Sequence, residues 1–283
     1  MTRVIPDVVT FWDGPLDALR LLCLRSQVRA GHRVTLYSFA PLRGLPHGVV
    51  NADATAVLPR AFAERLRPSG KGGAWRDWTA LQFSDFFRMR LMALGAGLWL
   101  DADVLLLRPV EIDPAKPYFA WEKPRQLGNS VLYLPPDDPI VKAFAALMAQ
   151  EELTPDWLAW RHRLSFAWRS MRGITTRLAD IRVAIFGPAS LTALSRRFGY
   201  AKHALPRKSY YAVHAEPRLF FEPSDFSALV ADPEILGFHV SPKGRGKERP
   251  IAGSFYAWAM ERIAKPVYPP LVGEGRMTSC EAL

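Results

Sequence analysis

Residues 98–107, read as Leu-Trp-Leu-Asp-Ala-Asp-Val-Leu-Leu-Leu, constrain this chain more than any other stretch. All are apolar except Asp101 and Asp103, so a run suited to a buried strand is broken by two carboxylates. In a strand, residues two apart point to the same face, roughly 6.5–7 Å from each other. Two carboxylates so placed repel by about 2–3 kcal/mol at an effective dielectric of about 20. A buried strand end that carries such a cost needs positive charge between or beside the two acids. A divalent cation held against a phosphate-bearing ligand would supply it. A solvated turn tip between two strands is the plainer alternative.

The charge of the chain is as uneven as this strand. Between Arg161 and Lys208 lie eleven Lys/Arg against a single acid, Asp180, a surplus equal to the whole net charge of +10. Phe166 and Trp168 sit inside that segment, with Trp157 and Trp160 just before it. Basic side chains mixed with Trp suit an anionic membrane surface or a polyanionic substrate. They also suit nucleic acid, through phosphate neutralisation and stacking. A basic solvated helical face over core tryptophans is the unspecialised reading.

With 283 residues and 49% hydrophobic composition, the chain can bury a substantial core. Cys23 and Cys280 are far apart, so neither a disulfide framework nor a zinc spacing can be built from them. No window approaches the roughly 18 apolar residues of a membrane span. Met1-Thr2-Arg3 runs straight into a strand-like segment with no signal-peptide core. The expectation is a cytoplasmic protein, free or peripherally attached at the inner face of the membrane.

Along the chain, Val8-Val9-Thr10-Phe11-Trp12 ends a first buried strand on two aromatics. Asp13 is placed to cap the next helix with Pro15 in its first turn, and Leu16, Leu19, Cys23 and Leu24 form its apolar stripe. Gly31 closes that helix, and Val34-Thr35-Leu36-Tyr37-Ser38 makes a second strand, giving a βαβ start. Val49-Val50 is the best apolar pair of the loop and short strand that follow. Pro68-Ser69-Gly70-Lys71-Gly72-Gly73 lacks the phosphate-loop pattern and reads as a lid or a linker. Asp77 is expected to cap a long helix to about Leu94, with Leu81, Phe87, Leu91 and Leu94 facing the core. Asp85 and Arg88, three apart, share one face of it. Gly95-Ala96-Gly97 ends this helix and leads directly into the strand with Asp101 and Asp103. Further strands are expected at 118–121, 131–134, 210–213 and 235–240. Helices are expected to open at Asp138-Pro139 and Thr154-Pro155, another to end at Gly199, and a last one to span about 254–264.

The order of these motifs resembles a known family. Phe83-Ser84-Asp85-Phe86-Phe87-Arg88, a glycine turn, Trp99-Leu100-Asp101-Ala102-Asp103 and then Arg108-Pro109 is similar to the family 32-like glycosyltransferases with an Asp-x-Asp motif, which include capsule and lipopolysaccharide sugar transferases. Their pattern is Ser-Asp-x-x-Arg, then Gly-Gly-x-Tyr-x-Asp-x-Asp, then Pro. The likeness extends from Val4 to about Pro223 and takes in Gly187-Pro188 and Phe220-Phe221-Glu222-Pro223. Ala96 stands where the family has its first glycine, which is tolerable if that position needs no positive φ.

The resemblance implies an α/β chain of GT-A fold (a Rossmann-like nucleotide-diphospho-sugar transferase), one domain over 1–283 with a basic helical insertion at about 138–208. It implies transfer of a hexosyl group from a UDP- or GDP-linked donor, with retention, to a cell-surface glycan or lipid-linked acceptor in polysaccharide biosynthesis. Asp103 would bind Mn2+ or Mg2+, Asp101 the metal or the donor ribose, and His239 would complete the metal site. Asp85 and Arg88 would hold the donor sugar, with Phe11 and Trp12 flanking the base and Ala102 lining the donor. Asp85, Arg88, Asp101 and Asp103 thus make up the catalytic set. Glu122 and Asn129 are candidates for the acceptor side. An anionic membrane surface is a candidate partner for residues 161–208, and no nucleic acid is expected.

Two other classes compete. A haloacid-dehalogenase-like phosphatase would use Asp101 as a nucleophile, but in that family the strand usually opens the domain, whereas about a hundred residues precede it here. A non-catalytic basic protein for membranes or nucleic acid accounts for residues 161–208 and leaves Asp101 and Asp103 unexplained.

Overall fold

The structure is a computed structural model that describes residues 2–66, 78–151, 153–157, 160–173, 185–214, 216–240 and 249–263. The expected cap Asp77 and the glycine-rich stretch 68–73 lie outside the described residues.

The chain opens as strand, helix, strand, because two apolar runs flank a helical stretch that buries Leu19, Leu22, Cys23 and Leu24. β1 (Val8–Phe11) is buried along its whole length, α1 (Ala18–Arg29) crosses over, and β2 (Val34–Ser38) and β3 (Val49–Asp53) follow in parallel. The cap of α1 is Asp17 and not Asp13: its side chain accepts the Arg20 backbone N–H at 2.9 Å. Gly14 has φ +117°, a conformation outside the helical region, so the helix starts beyond it.

α2 (Trp78–Ala93) then leads into β4 (Leu98–Leu100). Phe83, Phe86, Phe87 and Leu91 of α2 are buried, whereas Leu81 and Leu94, expected to face the core, are exposed. The inward face is aromatic: Phe11 lies 4.7 Å from Phe87 and 5.4 Å from Phe83, centroid to centroid. Of the linking residues, Gly95 and Gly97 take positive φ and Ala96 does not, which explains why alanine is accepted there. A Cβ on Gly97 would run into the Asp7 carbonyl, the acceptor for the Leu98 N–H at 2.8 Å.

β4 is followed by β5 (Val104–Leu106), β6 (Trp121–Lys123), β7 (Gln126–Leu127) and β8 (Val131–Leu132). Then come α3 (Pro139–Ala149), α4 (Trp160–Met171), α5 (Pro188–Arg197), α6 (Lys208–Tyr211), α7 (Arg218–Phe221), α8 (Ser227–Ala231), β9 (Gly237–His239) and α9 (Phe255–Ile263). Asp138 caps α3 by accepting the Ile140 N–H at 2.8 Å, as its place before Pro139 predicts. The described part of the helix expected from Thr154-Pro155 begins only at Trp160. Residues 210–213, expected as a strand, form the end of α6 and a turn, because Tyr210 and Tyr211 bury their rings from a helical turn closed onto Arg207.

The central sheet has the order β3-β2-β1-β4-β8, with β8 antiparallel and the rest parallel. This is a mixed α/β fold with a parallel central sheet. The chain moves outward from β1 to β3 and then returns to β1's other side as β4. Such a reversal leaves a crevice at the carboxyl ends of the neighbouring strands. β5 leaves this sheet altogether and pairs antiparallel with β9, while β6 and β7 form a small hairpin.

Candidate functional site

Asp101-Ala102-Asp103 lies at that crevice, immediately beyond the carboxyl end of β4. The two aspartates do not share a strand face as the period of two implied. They sit in a tight turn, with the Val104 N–H bonded to the Asp101 carbonyl at 2.9 Å, where the chain passes from one sheet to another. The turn is pinned on both sides: the Asp101 N–H donates to the Ser130 carbonyl at 2.8 Å, and the Val240 N–H donates to the Asp103 carbonyl at 3.0 Å. Both side chains are largely sheltered, so the turn is no free solvent tip.

The β5–β9 register sets Val104 opposite His239 and so delivers an imidazole to the two acids. His239 Nε2 is 3.4 Å from Asp103 Oδ1, 4.0 Å from Asp101 Oδ2 and 3.3 Å from Ser130 Oγ. One ligand atom from each of Asp101, Asp103 and His239 lies within 4.8 Å of the others, a cluster that could hold a metal ion. The donor set suits one: two carboxylate oxygens and a neutral imidazole nitrogen fit a divalent cation such as Mn2+. Burial pushes the Asp103 carboxyl up, but the charge and hydrogen bond of His239 outweigh it and leave it below the usual range. Burial pushes His239 down, and Asp103 and Asp101 more than compensate, so its net displacement is upward.

The α2 face supplies the rest. Arg88 is almost fully buried; it donates to the Asn129 carbonyl at 2.8 Å, Asp101 Oδ1 at 3.2 Å and Ser84 Oγ at 3.4 Å, and forms an ion pair with Asp85 Oδ1 at 3.5 Å. Its guanidinium stacks 4.7 Å from the Trp99 ring centre, and Trp99 Nε1–H donates to the same Asp101 oxygen at 2.7 Å. Asp101 therefore has one oxygen committed to the protein and the other turned toward His239. Asp85 accepts from Asn129 Nδ2 at 2.8 Å. Burial, opposed by Arg88 and Asn129, lifts the Asp85 carboxyl to about 7. Gly187 at the start of α5 closes this corner, since a Cβ there would sit 2.7 Å from both Asp85 oxygens and 2.8 Å from Asn129 Nδ2.

Of the residues singled out in the sequence, Asp85, Arg88, Asp101, Asp103 and His239 are brought together, with the buried Ala102 between the two acids. Phe11 is not: its ring is packed among Phe39, Phe83 and Phe87 and has no free face for a base. Trp12 is partly exposed, with Arg20 stacked 4.0 Å from its ring centre. Asn129 and Glu122 are both bonded to neighbouring protein groups. Asn129 braces Asp85 and Arg88. Glu122 accepts from Gln126 at 3.1 Å and lies 3.0 Å from Lys123 and 3.3 Å from His214. Burial pushes Glu122 up, but bonds from His214, Lys123 and Gln126 bring it down to about 2.

Tyr211 and His214 were not singled out. His214 stacks on His239 with centroids 4.8 Å apart and 17° between planes, and Tyr211 presents its edge to both rings. Their spacing of three residues on a helical turn was a signal, hidden by the misreading of 210–213 as a strand. A separate cavity of about 790 Å³, lined in part by Arg3, Pro109, Tyr118, Tyr200 and His203, contains none of the clustered residues. Charges of opposite sign converge instead at the carboxylate cluster.

No protein-family model matches this chain, and no curated protein matches it. Among solved structures it resembles one described as "PaToxG Glycosyltransferase", at 12% identity and a TM-score of 0.44, over 70% of this chain and 71% of that one. At that level of similarity, function has to be read from the site itself.

Proposed function

We propose that this chain is a metal-dependent glycosyltransferase that takes a hexosyl group from a UDP- or GDP-linked donor, with retention, and passes it to a cell-surface glycan or lipid-linked acceptor. The observation that carries the reading is the convergence of Asp101, Asp103 and His239 beside the buried Asp85–Arg88 pair, at the carboxyl end of a parallel sheet. The order of Ser84-Asp85, Arg88, Asp101 and Asp103 in the sequence supports sugar transfer over other chemistry of metal and diphosphate.

Asp101, Asp103 and His239 would hold Mn2+ or Mg2+, the imidazole favouring Mn2+. The cation, when bound, neutralises the charge that builds on the departing diphosphate. Asp101, fixed on one oxygen by Arg88 and Trp99, directs its other oxygen to the metal or the ribose. Asp85, titrating near neutrality, both donates and accepts hydrogen bonds and would orient the donor sugar's hydroxyls. Arg88 holds Asp85 and Asp101 in register, so the chain's main contribution is positioning and fixed charge. The sugar's C–O bond to the diphosphate breaks, the acceptor oxygen bonds the anomeric carbon from the same face, and its proton leaves with the diphosphate.

Thermal unfolding with UDP- and GDP-sugars, with and without Mn2+, tests the reading. A donor at a hundredfold excess over its Kd adds about 2.7 kcal/mol of stability. That increment should appear only with metal and vanish in Asp103→Asn. Absence of metal-dependent stabilisation by every donor, or full turnover in Asp103→Asn, overturns it.

A further inference from the structure

α4 is the part of the basic segment that the catalytic reading leaves unused. Trp160 is 65% exposed, Leu164 60%, Trp168 49% and Met171 79%, large apolar side chains that a water-soluble surface seldom gathers on one helix. On a wheel of about 100° per residue these four fall within an arc of about 80°, one continuous stripe along the helix. Arg161 borders the stripe on one side and Arg163 on the other, with Arg169 further round and Arg172 in the turn just past the helix. The helix contains no acidic residue. Arg172 lies 3.8 Å from the centre of the Trp168 ring and Arg161 5.4 Å from that of Trp160, so the cations are held against the edge of the stripe.

We propose that this face of α4 docks on an anionic lipid bilayer, with Trp160, Leu164, Trp168 and Met171 entering the headgroup–acyl boundary and the arginines binding lipid phosphates. The surface stands on α4 alone, so its test and that of the catalytic reading fail independently. Charge complementarity selects this occupant. A second copy of the chain, docked about a two-fold axis, would set the arginines of one α4 against those of the other with no acid between them. A nucleic acid has use for arginine and tryptophan but none for Leu164 and Met171 at the centre of the contact. An anionic bilayer satisfies both: tryptophan prefers the interfacial layer, aliphatic groups go deeper, and the surface potential attracts the cations. Among the described residues no helix is long and apolar enough to cross a membrane, so this contact lies along the surface.

The test is flotation of the full chain with phosphatidylcholine vesicles, alone or with about one third phosphatidylglycerol. The chain should float with the anionic vesicles, much less with the neutral ones, and less as salt rises. Trp160→Ser/Leu164→Ser/Trp168→Ser and, separately, Arg161→Gln/Arg163→Gln/Arg172→Gln should each weaken partitioning about tenfold or more while the unfolding temperature stays that of the parent. No flotation with anionic vesicles overturns the proposal, as do equal flotation with neutral ones and undiminished flotation of the serine variant. A dimer in sedimentation that the serine variant dissolves, or displacement from vesicles by duplex DNA, also overturns it.

Discussion

Arg88 carries more of the site's electrostatics than either member of the Asp-x-Asp motif. It is buried with Asp85 on one side and Asp101 on the other, so removing its charge strands two carboxylates in a poorly hydrated place. Breaking such a pair costs about 3–5 kcal/mol. Arg88→Met is expected to lower the urea midpoint by a corresponding amount. Arg88→Lys restores the charge without the planar fork and should recover only part. Asp85 gives a second expectation. Its folded value of about 7 lies above that of a free carboxyl, so its protonated form stabilises the fold. That contribution is complete below the unfolded value near pH 4, shrinks as pH rises, and is gone above about pH 7. Asp85→Asn should therefore flatten the stability profile over this window, and a steeper decline in the variant than in the parent would contradict the assignment.

At the scale of elements, the site depends on two short connections. The turn after β4 brings two carboxylates to one place because the chain leaves one sheet and enters another within three residues. The β6–β7 hairpin places Glu122 under His214, whose ring stacks on His239. Glu122 lies at about 2, below the ordinary carboxyl value, so its ionised form stabilises this arrangement. The contribution is present above the unfolded value of about 4.3 and is lost as pH falls through about 2. Glu122→Gln should lose less stability than the parent between pH 5 and pH 2, measured by denaturant unfolding at each pH. It should also loosen the His214–His239 stack and weaken stabilisation by Mn2+ at neutral pH.

On the scale of the whole molecule, β9 is a three-residue strand whose pairing with β5 links the C-terminal helices to the turn carrying the aspartates. A ligand gripped by Asp101, Asp103 and His239 would tie these parts together. Mn2+ is expected to slow amide hydrogen exchange in Gly237–His239 and Val104–Leu106 together, and Asp103→Asn to abolish the effect. Slowing confined to one of the two strands would show that the ion binds elsewhere.

Much was decided locally and could therefore be read from the sequence. The βαβ opening follows from two apolar runs about one crossover apart. Asp85, Arg88, Asp101 and Asp103 meet because one helix, one glycine turn and one strand connect them, so their relative placement is nearly a matter of local geometry. Leu81 and Leu94 face solvent because Leu81 lies on the opposite side of α2 from Phe83, Phe86, Phe87 and Leu91 and Leu94 falls just past the helix end. The partners of those four residues were another matter. His239 reaches Asp103 through a strand pairing across nearly half the chain, and Tyr211, His214 and Asn129 arrive from a four-residue helix, the turn after it and the connection between two two-residue strands. Phe11 looked like a ligand for a base until α2 covered it. The sequence by itself determined that two acids and an Arg–Asp pair would share a crevice. Only the tertiary structure brought His239, named until then by the family resemblance alone, within reach of them, because that depends on strand register between distant segments, and no local residue preference encodes it.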